Sequence, residues 1–434
     1  MILIVKGSGI PQVIGEVQGV STMDWWSVLW KKFVGGLLSI SSGLFLGREG
    51  PSIQLGSSIG LGVNKLTKGD DLEKNVLLSS GAGAGLAAAF NAPLAGLIFV
   101  LEEVHANFSP LVAITTFTSA VVANFISLNI FGLTPALNIG PITNFPLRYY
   151  LFLPLLGIFL GLMGRLYNKV LLDITPKFYQ LFSFIPTKYN SVLPLLILIP
   201  IGYFLPEFIG GGSELVLLLP VWQLSIGVLI GLLVLRFVFS MISFGANIPG
   251  GIFLPILSLG AILGSIFAQV LIDGQFIEAS YLNHFILLAM AGYFTAIGKA
   301  PITAIILVTE MAGGMNQLMP LAVVCLTAYL TADLLGNSPI YESLLERLIP
   351  KHSNQVIHQP FSFVYSIETD SKMANLRIQD TTWPENMLIS SVRRGSEFIV
   401  PKGDTVLKIG DHLMIYCDLN NANILRKKLN DYVL

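Results

Sequence analysis

Long stretches of this chain contain no charged side chain. Asp, Glu, Lys and Arg are absent from three of them, 104–147, 237–272 and 311–332. Each exceeds the roughly 20 residues that an α-helix needs to cross a bilayer core. Glycine and proline occur 42 and 23 times, so we expect short, broken or tilted helices whose freed backbone groups face protein or a water-filled cavity. The pattern predicts an all-α domain that crosses a membrane several times.

The pattern changes near residue 350. The last part of the chain, 351–434, holds 10 basic and 9 acidic side chains. Four short apolar runs rich in β-branched and aromatic residues predict strands at 361–367, 387–392, 397–400 and 412–418. "PKGD" predicts a turn before the last strand, and 420–434 predicts a closing helix. We therefore expect a membrane domain, 1–350, followed by a small soluble α+β domain, 351–434.

The composition agrees with a membrane protein. Hydrophobic residues make up 53% of the chain, charged residues only 12%, and the mean hydropathy is +0.72. A soluble domain is about one quarter charged. The net charge of −1 does not indicate a nucleic-acid partner. Cys325 and Cys417 lie in different contexts, so no disulfide framework is expected. The start, "MILIVKGSGIP", lacks the apolar region of a cleavable signal peptide.

Two segments of the membrane domain repeat each other. "GREGPSIQLGSSIG" (47–60) and "GIFLPILSLGAILG" (251–264) share their glycine and proline positions. The matching positions are Gly47, Pro51, Gly56 and Gly60 in the first segment, and Gly251, Pro255, Gly260 and Gly264 in the second. The segments 87–103 and 295–311 match in the same way, with Ala92-Pro93 and Glu102 corresponding to Ala300-Pro301 and Glu310. Duplicated halves with interrupted helices indicate a transporter of two inverted repeats with a midplane site. The alternative is convergent small-residue helix packing.

Three clusters of glycine and proline could form an anion site. They are "GSGIP" (7–11), "GREGP" (47–51) and "GIFLP" (251–255). Proline fits the first turn of a helix, and the free amides and positive dipole end of a helix start attract anions. Converging termini would bind a small anion without a full positive charge, which would hold the ion too tightly to release it.

Glu49 stands in the second cluster, inside an otherwise apolar or small run. A carboxylate there would occupy the place of the anion, and its protonation would let it swing away. Burial and helix amides act on its titration in opposite directions, so Glu49 is a candidate for coupling proton and anion. The alternative is an ion pair with Arg48, although adjacent helical residues point in different directions.

Other polar residues near apolar runs are candidates for the same pathway. Glu102 and Glu103 follow "LAGLIFVL", and intramembrane carboxylates often serve as proton relays. The alternative is a helix end that reaches water. Tyr341 follows the breaker "GNSP"; its hydroxyl could donate to an anion, or it could be an ordinary packed or interfacial tyrosine.

Enzyme motifs are not found. The sequence contains no HExxH, CxxC or P-loop, and no metal site is expected. Ser8 as an intramembrane nucleophile would need a histidine partner, and neither His105 nor His284 lies in an informative pattern. We therefore expect no enzymatic activity.

The three clusters, in this order, together with "GAGAGLAAAFNAPLAGLIFVLEE", resemble the CLC family of chloride channels and chloride/proton antiporters over roughly residues 5–350. The resemblance implies that Ser8 donates its hydroxyl to the central anion. It further implies backbone amides from Ile252 and Phe253, and a hydroxyl from Tyr341 on the other side.

The resemblance also implies the proton chemistry. Glu49 matches the gating glutamate of the family, and Glu103 matches the internal proton-transfer glutamate of its antiporters, a position that is typically not acidic in its channels. The implied function is exchange of chloride for protons, and the serine at Ser8 favours chloride over nitrate or fluoride. A passive voltage- or proton-gated chloride channel is the alternative.

Two further expectations follow from this resemblance. Family members are homodimers with one pathway per subunit. They also have several helices before "GSGIP", so the first three helices are expected to be missing here, through a misassigned start or a true truncation. A truncated, non-transporting subunit is therefore a second alternative. Gln12 is a smaller departure, since many relatives carry Glu at that position.

The segment 386–418 resembles the RCK-C, or TrkA-C, subdomain of bacterial potassium-conductance regulators. This resemblance implies a bacterial plasma-membrane protein with a cytoplasmic regulatory tail. Such subdomains dimerise and often bind small regulators, cyclic di-AMP among them. The alternative is a tail that only dimerises or stabilises. Chloride and protons are the expected partners, with no cofactor.

Overall fold

The chain forms two compact units, which meet along the sequence between Ile349 and Pro350. We consider each unit by itself. The computed structural model describes residues 5–106, 108–132, 144–182, 186, 189–222, 224–349, 360–367, 371, 373–381, 383, 387–395 and 397–418.

The first unit is helical. Its described residues form sixteen α-helices: α1 Ile10–Val17, α2 Trp25–Ser41, α3 Glu49–Thr67, α4 Asp71–Phe90, α5 Pro93–Phe99, α6 Pro110–Phe131, α7 Phe152–Lys169, α8 Thr175–Leu181, α9 Val192–Phe204, α10 Ser213–Trp222, α11 Ile226–Gly245, α12 Phe253–Asp273, α13 Leu282–Gly298, α14 Pro301–Ala312, α15 Leu318–Leu334 and α16 Ile340–Leu348. Two π-helical turns, Val100–Val104 and Val170–Ile174, continue α5 and α7.

Among the described residues, six helical segments are long and apolar enough to cross a membrane. They are Pro110–Phe131, Phe152–Leu181, Ile226–Gly245, Phe253–Asp273, Ala279–Gly298 and Met315–Leu334. The charge-free stretch 237–272 is not one span, because glycine and proline interrupt it at 246–252, between α11 and α12. The prediction of an all-α membrane domain with broken helices is confirmed.

The repeated segments pack in the same way in both halves. In the first half α3 packs along α4, and in the second half α12 packs along α13. Glycines allow the close approach: a Cβ on Gly56 would overlap the carbonyl group of Gly81, and one on Gly264 would overlap that of Phe285. The same helix pairs recur elsewhere, since α2–α3, α4–α5 and α4–α6 correspond to α11–α12, α13–α14 and α13–α15.

Equivalent residues of the two halves meet directly at Gly47 and Gly251. The amide of each donates to the carbonyl oxygen of the other, at 2.7 Å in both directions, in an antiparallel bridge. A local two-fold axis between two inverted halves produces such a reciprocal pair. This geometry favours inverted repeats over convergent packing.

The second unit contains a four-stranded antiparallel sheet. Its strands are β1 Pro360–Ser366, β2 Met387–Arg394, β3 Glu397–Ile399 and β4 His412–Asp418, in the order β1-β4-β2-β3. Leu413, Ile415 and Cys417 alternate with more exposed residues on β4 and face a small core. The four predicted strands are present, while the predicted helix at 420–434 lies outside the described residues.

Candidate anion and proton site

The three glycine and proline clusters meet in the first unit. Gly7 donates its amide to the carbonyl oxygen of Ile248 at 3.1 Å, and Gly250 donates to the carbonyl oxygen of Gly7 at 3.0 Å. A Cβ on Gly50 would overlap the hydroxyl and carbonyl groups of Ser8. Together with the Gly47 bridge, these contacts bring the starts of α1, α3 and α12 to one place.

The residue types at these helix starts explain the convergence. Gly9 caps α1 with φ of 97°, a left-handed conformation that glycine adopts without strain. Ser8, just before it, is buried, and its hydroxyl makes no hydrogen bond within the described part of the chain. Ile252 caps α12 and Phe253 begins it; both are buried. The first amides of a helix have no intrahelical acceptor.

Tyr341 reaches the same region from α16, which packs against α1 and α13. Its ring is fully buried, and its hydroxyl has no hydrogen-bond partner among the described residues. Glu49 and Glu103 both lie close enough for their charges to act on this hydroxyl. Tyr341 therefore lies in the neighbourhood of both candidate proton carriers.

Glu49 is fully buried at the start of α3. Neither of its carboxylate oxygens makes a hydrogen bond of normal geometry to a described residue, although its own amide and that of Leu254 lie nearby. Arg48 is exposed and donates instead to the carbonyl oxygen of Ala89 at 3.3 Å. The alternative of an Arg48–Glu49 ion pair is not formed in the described structure.

Glu102 and Glu103 face different surroundings because they lie on the π-helical turn Val100–Val104. One oxygen of Glu103 is buried, has no hydrogen-bond partner among the described residues, and lies against Gly298 at the end of α13. Glu102 accepts hydrogen bonds from the start of α14, Thr303 included. The sequence did not predict this π turn, a feature frequently found at functional sites.

Two buried cations near the site were missed by the sequence reasoning. Lys32 donates from Nζ to the carbonyl oxygen of Gly7 at 2.7 Å, and Arg236 donates to the carbonyl oxygen of Gly210 at 3.0 Å. Both side chains are fully buried. These basic side chains are bonded to loop carbonyl oxygens. Lys32 and Arg236 are 204 residues apart, like Gly47 and Gly251, so extending the repeat alignment would have found them.

A cavity of about 620 Å³ opens at Ser8. Lys6 and Arg347 contribute positive charge to its lining, and no Asp or Glu occurs among the described residues that line it. Gln12 also lines it and donates to the carbonyl oxygen of Lys6 at 2.8 Å. Arg347 also pairs with Asp173 at 3.3 Å, so Lys6 is the lining residue whose positive charge favours an anion. In the described portion, no group of three or more His, Cys, Asp or Glu side chains could hold a metal ion.

Known proteins resemble both units. The profile of the family described as voltage gated chloride channel matches residues 3–333, and that of the TrkA-C domain matches residues 363–430. A protein of Vibrio parahaemolyticus named H(+)/Cl(-) exchange transporter ClcA is 36% identical over 356 residues, 79% of this chain and 74% of the relative. The protein of that name from Salmonella arizonae is 34% identical over 354 residues, 80% and 74% of the two chains.

Solved structures show the same similarity. A slow cyanobacterial Cl⁻/H⁺ antiporter aligns with a TM-score of 0.73 and 33% identity, covering 80% of this chain and 82% of that one. A eukaryotic CLC transporter aligns with a TM-score of 0.65 and 20% identity, covering 79% and 61%, and supports the fold alone.

Proposed function

The chain belongs to the voltage gated chloride channel family, and on that premise we propose that it exchanges chloride for protons across a bacterial plasma membrane. The observation that carries this proposal is a pair of carboxylates, Glu49 and Glu103, that have buried oxygens without a hydrogen-bond partner among the described residues and lie near Tyr341. A passive chloride pathway has no use for the second of them. The names of the similar exchange transporters support the same function.

Chloride would bind where the helix starts converge. The hydroxyl groups of Ser8 and Tyr341 are buried donors without a partner among the described residues. Each can donate one hydrogen bond to an anion, while the amides of Ile252 and Phe253 approach from the start of α12. The cavity beside Ser8, with Lys6 in its lining, would raise the local concentration of anions.

Protons would use Glu49 and Glu103. A charged Glu49 competes with the anion for the amides at the start of α3, and a neutral Glu49 releases them. Glu103 would pass protons between the adjoining solution and the region of Tyr341. Transport of the two ions is then linked because the same carboxylate, Glu49, responds to both.

The alternatives differ from exchange in what moves. A passive voltage- or proton-gated chloride channel would conduct chloride without protons, and Glu103 argues against it. A truncated, non-transporting subunit would move neither ion. The convergence of all three clusters in this chain argues against that alternative.

The second unit would act as a cytoplasmic regulatory domain, with 1–350 as the transport domain and 351–434 as the regulator. Its similarity to the TrkA-C domain supports this division. We propose that the protein is a homodimer and that the tail binds a small regulator such as cyclic di-AMP. Calorimetry of the full chain with cyclic di-AMP tests the last point, and absence of heat in the presence of intact dimer would remove it.

Flux measurement tests the transport proposal. Liposomes that hold the purified 434-residue chain are given a chloride gradient only, and proton movement is recorded. We expect uphill proton movement in the wild type. In Glu49→Ala we expect chloride flux to persist while proton coupling falls by about a hundredfold or more, the usual scale for loss of a proton-transfer group.

The possible results separate the candidates. Chloride leak without protons in the wild type would favour the channel. Absence of both fluxes would favour the non-transporting subunit. Normal proton coupling in Glu49→Ala would show that the role given to Glu49 is wrong.

A further inference from the structure

Two short helices of the transport unit hold each other through carboxylates. α5 and α14 are repeat partners, they pack together, and each begins with proline after an alanine. Glu310, on α14, accepts hydrogen bonds from the amides of Leu94 at 3.1 Å and Ala95 at 2.7 Å, at the start of α5.

The opposite end of the pair repeats this contact. Glu102, in the π turn after α5, accepts from the amides of Ile302 at 3.1 Å and Thr303 at 2.6 Å, at the start of α14. The hydroxyl of Thr303 adds a third bond at 2.7 Å. Each glutamate thus satisfies free amides at a positive helix end that belongs to the other half.

The two reciprocal contacts, Glu310 with the start of α5 and Glu102 with the start of α14, together form a clamp between these helices. Leu94 and Glu102 are eight residues apart, as are Ile302 and Glu310. At 1.5 Å per residue, the two ends lie roughly 12 Å apart along the helices. Two rods tied at both ends resist sliding and rotation about their axes, whereas a single tie allows both.

Glu103 depends on this clamp because it shares the π turn with Glu102. A rotation of about 100° around the helix axis, one residue's step, would carry Glu103 away from Gly298 and Tyr341. On the basis of the proposed function, we propose that Glu310 is a positioning residue of the proton pathway. By holding the start of α5, it keeps Glu103 directed at the region of Tyr341.

The experiment measures proton and chloride fluxes of full-length variants in the same liposomes. In Glu310→Ala we expect the number of protons moved per chloride to fall by up to about a hundredfold, because a misplacement of about 1 Å can cost a transfer step that much. Chloride flux should be nearly unchanged, because Glu310 is not among the residues of the candidate anion site. Glu102→Ala, which frees the other end, should act in the same direction. Asp273→Ala, an exposed acidic residue at the end of α12, is the control.

Glu310→Gln separates positioning from proton carriage. The carboxamide oxygen of glutamine still accepts one of the two backbone hydrogen bonds but carries no proton, so coupling should survive better than in Glu310→Ala. If Gln is as damaging as Ala, Glu310 transfers protons itself and the inference is wrong. If Glu310→Ala does not reconstitute, Glu310→Asp tests the same point: its shorter side chain should lower the ratio despite keeping its charge.

Two other results would also overturn the inference. One is an unchanged proton-to-chloride ratio in Glu310→Ala. The other is a parallel fall of both fluxes with the ratio preserved, which indicates a role in folding only. Failure of the proposed function is distinguishable, because it is detected as absent proton movement in the wild type before any variant is compared.

Discussion

The two halves of the transport unit share one backbone framework but differ in the side chains that it carries. In the first half, a loop with left-handed glycines Gly7 and Gly9 leads into α1. In the second, a loop with left-handed glycines Gly210 and Gly212 leads into α10. Each loop offers carbonyl oxygens to a fully buried cation, Lys32 or Arg236. The framework therefore includes the buried charge.

The halves differ where the loop meets the neighbouring helix start. Ser8 faces Gly50, which leaves room for its hydroxyl group. At the equivalent place, Gly211 faces the side chain of Leu254, whose terminal carbon would lie 2.8 Å from a Cβ on that glycine. In the first half the glycine, Gly50, is at the helix start and faces a serine of the loop. In the second half the glycine, Gly211, is in the loop and faces a leucine of the helix start. One half keeps a buried polar donor, and the other fills the same position with hydrocarbon.

The candidate proton carriers follow the same pattern. Glu49 begins α3, and Phe253 begins the equivalent helix α12. By the alignment that pairs Glu102 with Glu310, Glu103 corresponds to Met311. Residues that hold the fold together are common to both halves, whereas the candidate proton carriers, Glu49 and Glu103, occur in the first alone. Duplication supplies a scaffold, and a few side chains decide which half carries the candidate proton chemistry.

Replacing Gly50 by leucine, the residue at the equivalent position 254 of the second half, should have the largest effect. Gly50→Leu places a side chain against Ser8, so the start of α3 must move and we expect both chloride and proton fluxes to be lost. Gly231→Leu on α11 is the matched control, because a Cβ there meets no atom within 4 Å. Liposome flux assays provide the measurement, and normal transport by Gly50→Leu would remove Ser8 from the pathway.

Replacing Glu103 by methionine, the residue at the equivalent position 311, should separate proton transport from chloride transport. Glu103→Met removes a proton carrier, so proton movement should fall by about a hundredfold or more, with chloride flux retained. Glu346→Met, on the exposed face of α16, controls for the added methionine. Unchanged proton coupling in Glu103→Met would remove the distinction between the halves at this position.

Truncating Leu254 in the second half should affect stability more than transport. Leu254→Ala leaves a cavity beside Gly211, and we expect unfolding free energy to fall by about 2–4 kcal/mol, the cost of such truncations. The backbone amide near Glu49 is retained, so exchange should continue. Thermal unfolding in detergent together with flux provides the test. A new chloride leak without protons would mean that the second half also becomes a pathway once it is opened.

The tail contains an ion pair with a buried carboxylate. Lys32 and Arg236, in contrast, donate to carbonyl oxygens. Fully buried Asp411 accepts two bonds from Arg394, at 2.8 and 2.7 Å, and one from the amide of Lys408. Burial alone would raise the pKa of Asp411, but these hydrogen bonds outweigh it and lower that pKa.

A lowered pKa means that this contribution is complete above the unfolded value of roughly 3.9 and is lost as pH falls through the folded value. Asp411→Asn should destabilise the tail by about 1–3 kcal/mol at neutral pH and weaken its acid sensitivity. Protease resistance of 360–418 in the full chain, followed against pH, measures both effects. Identical pH profiles in the two proteins would show that the pair contributes nothing.

The sequence predicted much of this architecture for local reasons. Charge-free stretches indicate membrane helices because charges are costly in lipid, and a short apolar run rich in β-branched and aromatic residues predicted β4. The repeat followed from glycine and proline, whose backbone effects do not depend on distant contacts. The π turn at Val100–Val104 could not be predicted in this way, because no local pattern distinguishes it from an ordinary helix.

For the candidate site, too, local motifs predicted the residues but not how they come together. Ser8, Glu49 and Tyr341 were recognisable from their motifs, but their meeting depends on contacts between segments hundreds of residues apart. Lys32 illustrates the difficulty: a lysine in an amphipathic stretch is usually solvated, and only the carbonyl oxygens of a distant loop make its burial acceptable.

By itself, the sequence determined the membrane class, the two-domain order, the duplication and the choice of candidate site residues. These properties depend on composition and local backbone preference. Tertiary structure alone decided that Glu102 and Glu310 clamp opposite halves, and that Gly50 leaves space at Ser8 while Leu254 fills it at Gly211. Such contacts depend on close packing between helices, where the presence of one side chain decides whether a polar group has room.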